Sequence, residues 1–371
     1  MPVTVDTQIE DARTVRVELA SGRYDVHVGR GLLAEAGARV RAVAPSGTCC
    51  VVADERVAGL HLDTLRAGLE AGGYEVVVAE LPTGETHKRL ATLLPVYETL
   101  LAAGIDRGTP VVGFGGGVAT DMAGFVAATL LRGVPLVQVP TSLLAMVDAS
   151  VGGKTGVNAE AGKNLIGAFH QPAAVLIDPD VLTTLPPEEM SAGLAECIKH
   201  EVIRDAAGFA DLERDVGRAR DVDLDYLAGL VAHNVAIKAT VVAADPLERG
   251  ERAHLNLGHT FAHAIEKVTA NRVPHGPAVG LGLVAATRLA VELDLLPAGD
   301  ARRVERLVAA AGLPTGGLDA DTDAVVDAMR FDKKVKGGRV RFVLPDGLGA
   351  ATLRDDVPPA AVREAVASIR G

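Results

Sequence analysis

The sequence predicts an α/β N-terminal domain with a mostly parallel sheet, plus an all-α C-terminal domain. Three observations lead to this prediction. Apolar strands alternate with amphipathic helices in the first half, helical periodicity dominates the second half, and 371 residues exceed the size of one ordinary core. We therefore place one domain at 1–185 and a second at 186–371.

Composition and charge exclude several classes of protein. Hydrophobic residues make up 48% of the chain and charged residues 23%, which indicates a globular protein. The net charge of -11 argues against nucleic acid and against an acidic membrane surface as partners. No apolar run approaches the roughly 18 residues of a membrane helix, and residues 1–14 lack a signal peptide's apolar core. We predict a cytoplasmic location.

The three cysteines, Cys49, Cys50 and Cys197, are odd in number and lack the spacing of metal ligands. In the cytoplasm, thiols without such spacing usually stay reduced. We therefore predict that all three are reduced thiols in the core.

The first half begins with a hairpin and continues with alternating strands and helices. Val15–Leu19 and Tyr24–Val28 flank Ser21-Gly22-Arg23, which is typical of a hairpin. The next predicted elements are a helix at 32–43, a strand at 48–53, a helix at 57–71 and a strand at 75–81. Parallel sheets bind ligands at the carboxyl ends of their strands, where Asp54 and Glu85 lie. Each carboxylate could accept hydrogen bonds from ribose hydroxyls or cap the following helix.

A glycine turn at 115–117 ends the predicted strand at 110–114 and is followed by a helix at 118–131. Such a turn points backbone N–H groups and a helix N-terminus at the space above it, which favours a phosphate or pyrophosphate. A plain tight turn is the alternative, because short glycine motifs often match by chance.

A second glycine-rich segment, from Asp148 to Asn158, places Lys154 among glycines, and Lys163 and Asn164 follow in a polar loop. A P-loop is excluded because Asp148 stands where that motif needs glycine. Two ammonium groups, an amide and a carboxylate suit a small, anionic, hydroxylated ligand. A solvated surface loop is the alternative, although apolar residues flank the segment on both sides.

The second half is predicted to be mostly helical. The predicted helices are 188–203, 224–244, 255–269, 277–293, 301–311 and 359–369, with one short strand at 340–344. The helix at 255–269 would carry Asn256, His259 and His263 on one face. Spacing alone nominates the two histidines as metal ligands.

An earlier predicted helix carries Glu196, Lys199 and His200, and His275 follows the histidine pair. Two histidines and one carboxylate around zinc leave an open coordination position. That arrangement is typical of a catalytic rather than a structural site. A core histidine is the ordinary alternative for any one of these residues.

Four segments carry a resemblance to a known family. In order, they are GGGVATDMAGFVAATLLRGVPLVQVPTSLLAMVDASVGGKTGVN, GKNLIGAFHQP, GLAECIKH and LNLGHTFAHAIE. They resemble the 3-dehydroquinate synthases of the sugar phosphate cyclase group, and the resemblance runs from about Val51 to Leu344. One departure is Thr120, where that family usually has glycine.

The resemblance implies a Rossmann-like NAD-binding domain and a helical domain for metal and substrate. It assigns the metal, zinc or alternatively cobalt, to Glu196, His259 and His275, and it leaves His263 for proton transfer. The cofactor-binding residues that it implies are Asp54, Glu85, Lys88, Gly116, Gly117, Val118, Asp121, Thr141, Ser142, Lys154, Lys163, Thr184 and Leu185.

The resemblance also implies how a phosphorylated sugar acid is held. Lys154, Asn164 and Arg132 would bind the phosphate, with Arg132 reaching across from the second subunit of a homodimer. Lys238 and Arg252 would bind the carboxylate. Asp148, Lys199 and Asn256 would contact hydroxyls, and either Lys333 or Lys334 would complete the phosphate pocket.

The implied reaction converts 3-deoxy-D-arabino-heptulosonate 7-phosphate to 3-dehydroquinate and phosphate, in the shikimate pathway. It proceeds by transient oxidation with NAD, phosphate elimination, re-reduction and intramolecular aldol closure. Alternatives are an amino-dehydroquinate synthase or another sugar phosphate cyclase, a metal-dependent polyol dehydrogenase, and a binding protein without catalysis.

Overall fold

The computed structural model describes residues 5–6, 12–248, 250–329 and 340–370. The chain divides into two compact units. The first comprises Met1–Leu185 and Leu224–Leu247, and the second comprises Pro186–Asp223 and Glu248–Gly371. The first unit thus includes a segment from beyond residue 185, and the division into domains at that residue stays a prediction.

Helices and strands are numbered in chain order. The helices are α1 (Ala36–Val43), α2 (Glu55–Ala71), α3 (Leu90–Ala102), α4 (Gly117–Thr129), α5 (Pro187–Arg204), α6 (Ala206–Arg220), α7 (Leu224–Ala244), α8 (His259–Val268), α9 (His275–Glu292), α10 (Ala298–Ala310), α11 (Thr322–Met329) and α12 (Pro359–Ser368). The strands are β1 (Val5–Asp6), β2 (Ala12–Leu19), β3 (Gly22–Gly29), β4 (Thr48–Asp54), β5 (Glu75–Leu81), β6 (Val111–Gly115), β7 (Leu136–Pro140), β8 (Lys154–Ala159), β9 (Gly162–Phe169), β10 (Ala174–Ile177), β11 (Phe342–Pro345) and β12 (Ala351–Arg354).

Eight strands of the first unit form one sheet in the order β1-β2-β3-β10-β7-β6-β4-β5. The pairs from β3 to β5 are all parallel, and only β1, β2 and β3 pair in antiparallel fashion. The predicted mostly parallel sheet is therefore confirmed. The carboxyl ends of β4, β5, β6 and β7 lie along one edge, because parallel strands end on the same side.

The predicted hairpin is formed by β2 and β3, in which Val15 pairs with Val26 and Val17 with Tyr24. These four side chains are buried. They share a sheet face with Arg13, whose guanidinium lies against Gly229 of α7. Since α7 packs on this face, it completes the core of the first unit from a distant part of the sequence.

Helix α7 is the one described helix that is long and apolar enough to cross a membrane by length and composition. No uninterrupted apolar run of that length was found in the sequence, and α7 meets the threshold by overall composition although Asp225, His233 and Lys238 lie within it. Of its most apolar stretch, 56% is buried within the protein, and Lys238 lies in its last two turns. These features are typical of a core helix.

Strands β8 and β9 form a two-stranded antiparallel sheet. The sequence predicted polar loops here, and the prediction was wrong because the alternation in 154–169 places Val157 and Ile166 inward over the core of the first unit. The hairpin also leaves Leu165 and Phe169 exposed on its outer side.

The second unit is built around α9, in which most residues are buried. This helix contacts α5, α8, α10 and α12, which confirms the predicted helical C-terminal region. The predicted short strand is β11, and it pairs with β12, which the sequence did not reveal. The three cysteines are free and buried as predicted, and burial raises the pKa of Cys50 to about 12.

Candidate active site and metal centre

The glycine turn in the first unit leaves its backbone bare. Gly115 has φ 150°, and a Cβ there would lie 2.9 Å from the Cβ of Asp54 and 2.6 Å from that of Ala119. No described side chain caps the N-terminus of α4, which begins at Gly117. A ligand could therefore approach the backbone of the turn closely and face the N-terminus of α4, which together suit a phosphate group.

Asp54 ends β4 and caps α2. Its Oδ1 accepts hydrogen bonds from the backbone N–H groups of Arg56 at 3.0 Å and Val57 at 3.1 Å. The hydroxyl of Thr83 also donates to Oδ1, at 2.9 Å. One of the two predicted alternatives, helix capping, is thus observed. Thr83, in the turn after β5, was missed by the sequence reasoning.

The buried Lys88 and the partly buried Asp121 form an ion pair, with Nζ and Oδ2 2.5 Å apart. Burial raises the pKa of Asp121, and the charge of Lys88 opposes that rise. Glu85, whose role was left open, accepts a hydrogen bond from the Asn158 side chain at 2.7 Å. These contacts tie the turn after β5 to α4 and to the end of β8.

Among the other predicted cofactor residues, Thr141 directly follows β7 and Thr184 ends a 3-10 helix after β10. The N–H of Thr141 donates to Gly115 O at 2.9 Å, which joins the ends of β6 and β7. Thr184 lies within hydrogen-bond distance of the His61 ring, at 2.7 Å. Thr120 is fully buried, and its hydroxyl donates back to Gly117 O at 3.1 Å. The Thr120 side chain is therefore turned into the protein and hydrogen-bonded within α4.

The predicted phosphate residues of the first unit lie on its surface. Lys154 is exposed on the β8–β9 hairpin, and so is Lys163, which was predicted to bind the cofactor rather than the phosphate. Asn164 has φ 52°, and its N–H donates to Asn158 Oδ1 at 2.9 Å. Arg132 is exposed at the end of a 3-10 turn, with φ 68°. Left-handed conformations of non-glycine residues are strained and concentrate at functional sites.

Asp148 lies in a single π-helical turn at Ala145–Ala149. Such turns are rare and frequent at functional sites. Lys238 of α7 donates to the Asp148 carboxylate at 2.6 Å and also contacts its backbone oxygen. The structure thus brings together two residues that the family resemblance assigns to different parts of the substrate.

In the second unit, Glu196, His259 and His275 place one potential ligand atom each within 4.8 Å of one another. Glu196 Oε1 lies 3.5 Å from Nε2 of His259 and 3.7 Å from Nε2 of His275. Tetrahedral ligands about 2.1 Å from an ion lie roughly 3.4 Å apart, so this triangle fits a zinc-like cation.

The two imidazoles present Nε2 to Glu196 because their Nδ1 atoms have other partners. His259 Nδ1 lies 3.1 Å from Leu257 O, and His275 Nδ1 lies 3.5 Å from Glu266 Oε2. Burial lowers the pKa of His259 well below its usual range. Burial also lowers the pKa of His275, but the carboxylates of Glu196 and Glu266 outweigh it and raise that pKa to about 9.

Two glycines allow the helices that carry these ligands to approach closely. A Cβ on Gly276, the residue after His275, would lie 2.4 Å from the Cβ of Ala192 on α5. A Cβ on Gly282 of α9 would lie 2.3 Å from the oxygen of Gly258, which precedes His259. The ligand triangle is therefore set by backbone packing of α5, α8 and α9.

His263 is exposed, and its ring centroid lies 5.6 Å from that of His259. It is outside the ligand triangle, so the pair nominated by spacing alone is not the one that converges. Lys199, which is almost completely buried, contacts the Glu196 carboxylate.

Asn256 was predicted on the same helix face as His259, and this was wrong. Gly258 has φ 76°, which ends a separate 3-10 turn at Glu251–Asn256 before α8 begins. The Asn256 side chain donates to Glu248 Oε1 at 3.0 Å. Arg252 lies in the same turn and is 1% exposed. Lys333 and Lys334 lie outside the described residues.

Three residues around these groups were missed, namely Thr83, Asn158 and Glu266. Each had a weak signal in the sequence. Asn158 ends the second glycine-rich segment, and Glu266 lies seven residues after His259, on the same helix face. Thr83 follows a strand of the parallel sheet by two residues. Only the structure gives these residues specific partners.

Comparison with known families accounts for most of the chain. A family described as 3-dehydroquinate synthase N-terminal matches residues 78–192, and one described as 3-dehydroquinate synthase C-terminal matches residues 193–335. A 3-dehydroquinate synthase of Paracoccus denitrificans (strain Pd 1222) is 46% identical over 365 residues, which cover 96% of this chain and 99% of that protein.

Solved structures of related enzymes are also similar. The 2-epi-5-epi-valiolone synthase ValA from Streptomyces hygroscopicus subsp. jinggangensis 5008, with NAD+ and Zn2+ bound, matches with a TM-score of 0.86 and 29% identity, covering 93% of this chain and 96% of that one. A 2-deoxy-scyllo-inosose synthase complexed with carbaglucose-6-phosphate, NAD+ and Co2+ matches with a TM-score of 0.87 and 25% identity, covering 95% and 99%.

Proposed function

This chain belongs to the 3-dehydroquinate synthase family, and from that premise we propose how its residues perform the reaction. The substrate is 3-deoxy-D-arabino-heptulosonate 7-phosphate, and the products are 3-dehydroquinate and phosphate. The observation that carries the proposal is the convergence of Glu196, His259 and His275 in a chain that matches this family over nearly its whole length.

The cofactors of the proposed reaction are NAD and a divalent cation, zinc or cobalt. The residues present fit both groups. Two imidazole Nε2 atoms and one carboxylate oxygen form a donor set suited to zinc, and the bare glycine turn suits a pyrophosphate. The chemistry that the two groups supply when bound is reversible hydride transfer and polarisation of a hydroxyl oxygen.

The first unit would hold the dinucleotide. The glycine turn, with Gly116, Gly117 and Val118, would bind the pyrophosphate through backbone N–H groups. Asp54 would accept a hydrogen bond from a ribose hydroxyl through Oδ2, which no described residue contacts, since its cap and Thr83 bond to Oδ1. The other residues assigned to this cofactor are Glu85, Lys88, Asp121, Thr141, Ser142, Lys154, Lys163, Thr184 and Leu185.

The two anionic groups of the substrate would be recognised by cationic and amide side chains. Lys154 and Asn164 would hold the phosphate, and Arg252 and Lys238 would hold the carboxylate. A buried guanidinium offers a planar fork of donors that matches a carboxylate.

The substrate hydroxyls need donors and acceptors that are already oriented. Asp148, Lys199 and Asn256 are each fixed by an observed contact, to Lys238, Glu196 and Glu248 respectively. They would orient hydroxyl groups without further ordering. His263 is exposed beside His259 and would move a proton to or from a reacting oxygen.

One assay tests the function. Purified protein would be mixed with 3-deoxy-D-arabino-heptulosonate 7-phosphate, NAD and zinc, while phosphate and NADH are followed together. Stoichiometric phosphate release without lasting NADH is expected. Lasting NADH without phosphate would instead indicate a dehydrogenase, and no signal in either channel would point to another cyclase substrate. The family and the curated relatives do not favour these alternatives.

The phosphate role of Lys154 can be tested by replacing it with alanine. Affinity for phosphate-bearing ligands should fall by about ten- to a hundredfold, because a hydrogen bond to a charged group contributes about 1.5 to 3 kcal/mol. Affinity for the dephosphorylated analogue should change little, as measured by calorimetry. Lys267→Ala, on the exposed side of α8, is the control, and equal losses for both ligands would remove Lys154 from the phosphate pocket.

We also propose a cytoplasmic homodimer, in which Arg132 of one subunit contributes to the phosphate site of the other. Five large apolar side chains are exposed on α3 and β9, namely Leu90, Leu94, Leu101, Leu165 and Phe169. The inner sides of both elements pack on one core, and large exposed apolar surfaces often mark protein interfaces.

A charge within that apolar surface should separate the subunits. The double variant Leu94→Glu and Phe169→Glu should sediment with half the wild-type mass, since each glutamate would lie unpaired in a buried interface. Leu60→Glu, at a similarly exposed leucine of α2, should leave the mass unchanged. A monomeric wild-type protein, or a double variant that stays dimeric, would contradict the proposed interface.

A further inference from the structure

Glu266 is a buried carboxylate that the proposed reaction does not use. It lies on α8 and is 4% exposed. Burying a carboxylate costs free energy unless a partner compensates, so such a group needs a specific reason to be where it is. The His275 ring is one of its partners, with Nδ1 3.5 Å from Glu266 Oε2.

The path of the chain brings these two groups together. Glu266 is two turns after His259, and α8 ends soon afterwards. The N–H of Asn271 donates to the backbone oxygen of Glu266 at 2.8 Å, and Ala270 and Asn271 adopt left-handed conformations. This tight reversal returns the chain to His275, the first residue of α9. Glu266 is therefore positioned to hold the imidazole from the side opposite to Glu196.

The two histidines of the triangle differ in what holds them. His259 Nδ1 faces a backbone carbonyl, that of Leu257, whereas His275 Nδ1 faces an ionisable side chain. A carboxylate that accepts a hydrogen bond from a ligand imidazole fixes its tautomer and orientation and raises its basicity. Of the two ligand imidazoles, His275 is therefore the one that a described side chain holds through Nδ1.

We infer that Glu266 is a positioning residue that sets the affinity of the Glu196–His259–His275 triangle for its divalent cation by holding His275 through Nδ1. The inference rests on the proposed function, because it presupposes that the triangle binds a metal. Glu266 itself is not a ligand. Its carboxylate acts on the cation through the imidazole of His275.

Metal affinity tests this inference without an activity assay. Metal-free wild-type protein, Glu266→Gln and Glu266→Ala would be titrated with zinc in competition with a chromophoric chelator. The Kd for zinc should rise by about 10- to 100-fold in the alanine variant, and by less in the glutamine variant, which keeps an acceptor but loses the charge. Glu305→Gln, which removes a carboxylate paired with Arg288 elsewhere in the same unit, should bind zinc as the wild type does.

Two further readouts separate positioning from a merely structural role. The visible spectrum of bound Co2+ should shift in both Glu266 variants, because the orientation and basicity of a ligand imidazole change. Zinc should raise the Tm of each variant less than that of the wild type, whatever the Tm of the metal-free protein.

Two results would contradict the inference, and the second of them would also contradict the metal assignment. Wild-type Kd values and cobalt spectra in both Glu266 variants would overturn the positioning role alone. A wild-type protein that binds neither zinc nor cobalt would overturn the positioning role together with the metal assignment.

Discussion

Replacing His259 with alanine should abolish zinc binding and lower turnover by about a thousandfold or more. The expected size follows from the several kcal/mol that a Lewis-acidic cation contributes to stabilising charge in a transition state. His259 is buried and its Nε2 lies 3.5 Å from Glu196 Oε1, and an alanine side chain at this position offers no ligand atom in its place. Bound zinc would be measured by atomic absorption after gel filtration, together with the rate of phosphate release.

The matched variant is His263→Ala, which tests whether the metal is bound by the converging triangle or by the two histidines that spacing alone nominates. His263 lies one helical turn from His259 but outside the ligand triangle. It should therefore keep the zinc content of the wild type while losing about 100- to 10,000-fold in rate, the usual contribution of general acid–base catalysis. If His263→Ala lost its zinc, the pair nominated by spacing would be correct and the triangle would be wrong.

Replacing Gly276 with alanine should disrupt the same centre without touching a ligand. The added Cβ would lie 2.4 Å from the Cβ of Ala192 and 2.5 Å from its Cα, so α5 and α9 would have to move apart. Overpacking of this kind costs about 1 to 3 kcal/mol of unfolding free energy. Because His275 is adjacent to Gly276 and Glu196 is on α5, activity should fall about a hundredfold, as a shift of about 1 Å can cost that much.

Gly217→Ala is the control for this substitution. Gly217 is inside α6, in the same unit, and a Cβ there would meet nothing within 4 Å. Alanine should stabilise that helix by about 0.5 to 1 kcal/mol. Chemical denaturation and zinc titration of both variants measure the two effects. A Gly276→Ala protein with wild-type stability and zinc affinity would show that the helices can adjust without moving the ligands.

The fold class followed from local patterns, and so did the common sheet edge at which the cofactor is predicted to bind. The apolar runs that end at Asp54 and at Gly115 are local signals for β4 and β6. Parallel pairing of these two strands then places both of their carboxyl ends on one edge of the sheet. The β8–β9 hairpin did not follow, because Lys154, Lys163 and the glycines between them are equally compatible with a loop. Only packing of Val157 and Ile166 on the core selects strands.

The candidate metal site shows a similar limit. Local spacing favoured His259 and His263, because neighbours four residues apart are common on helices. The converging set depends on the approach of α5 and α9 at Ala192 and Gly276, which are far apart in sequence. Asn256 was misplaced because Gly258 adopts φ 76°. Glycine allows this conformation, but a glycine in the sequence does not predict it. Glu266 was overlooked because its partner comes from the next helix.

The return of α7 to the first unit has a consequence for how the protein is made. The buried face of β2 and β3, with Val15 and Val26, packs against a helix that is not synthesised until residue 244. A nascent chain that ends before α7 would expose this apolar face. The first unit can bury its core completely only after α7 has been synthesised, and α7 follows residues 186–223 of the second unit. During vectorial synthesis, the N-terminal half should therefore depend on chaperones until α7 emerges from the ribosome.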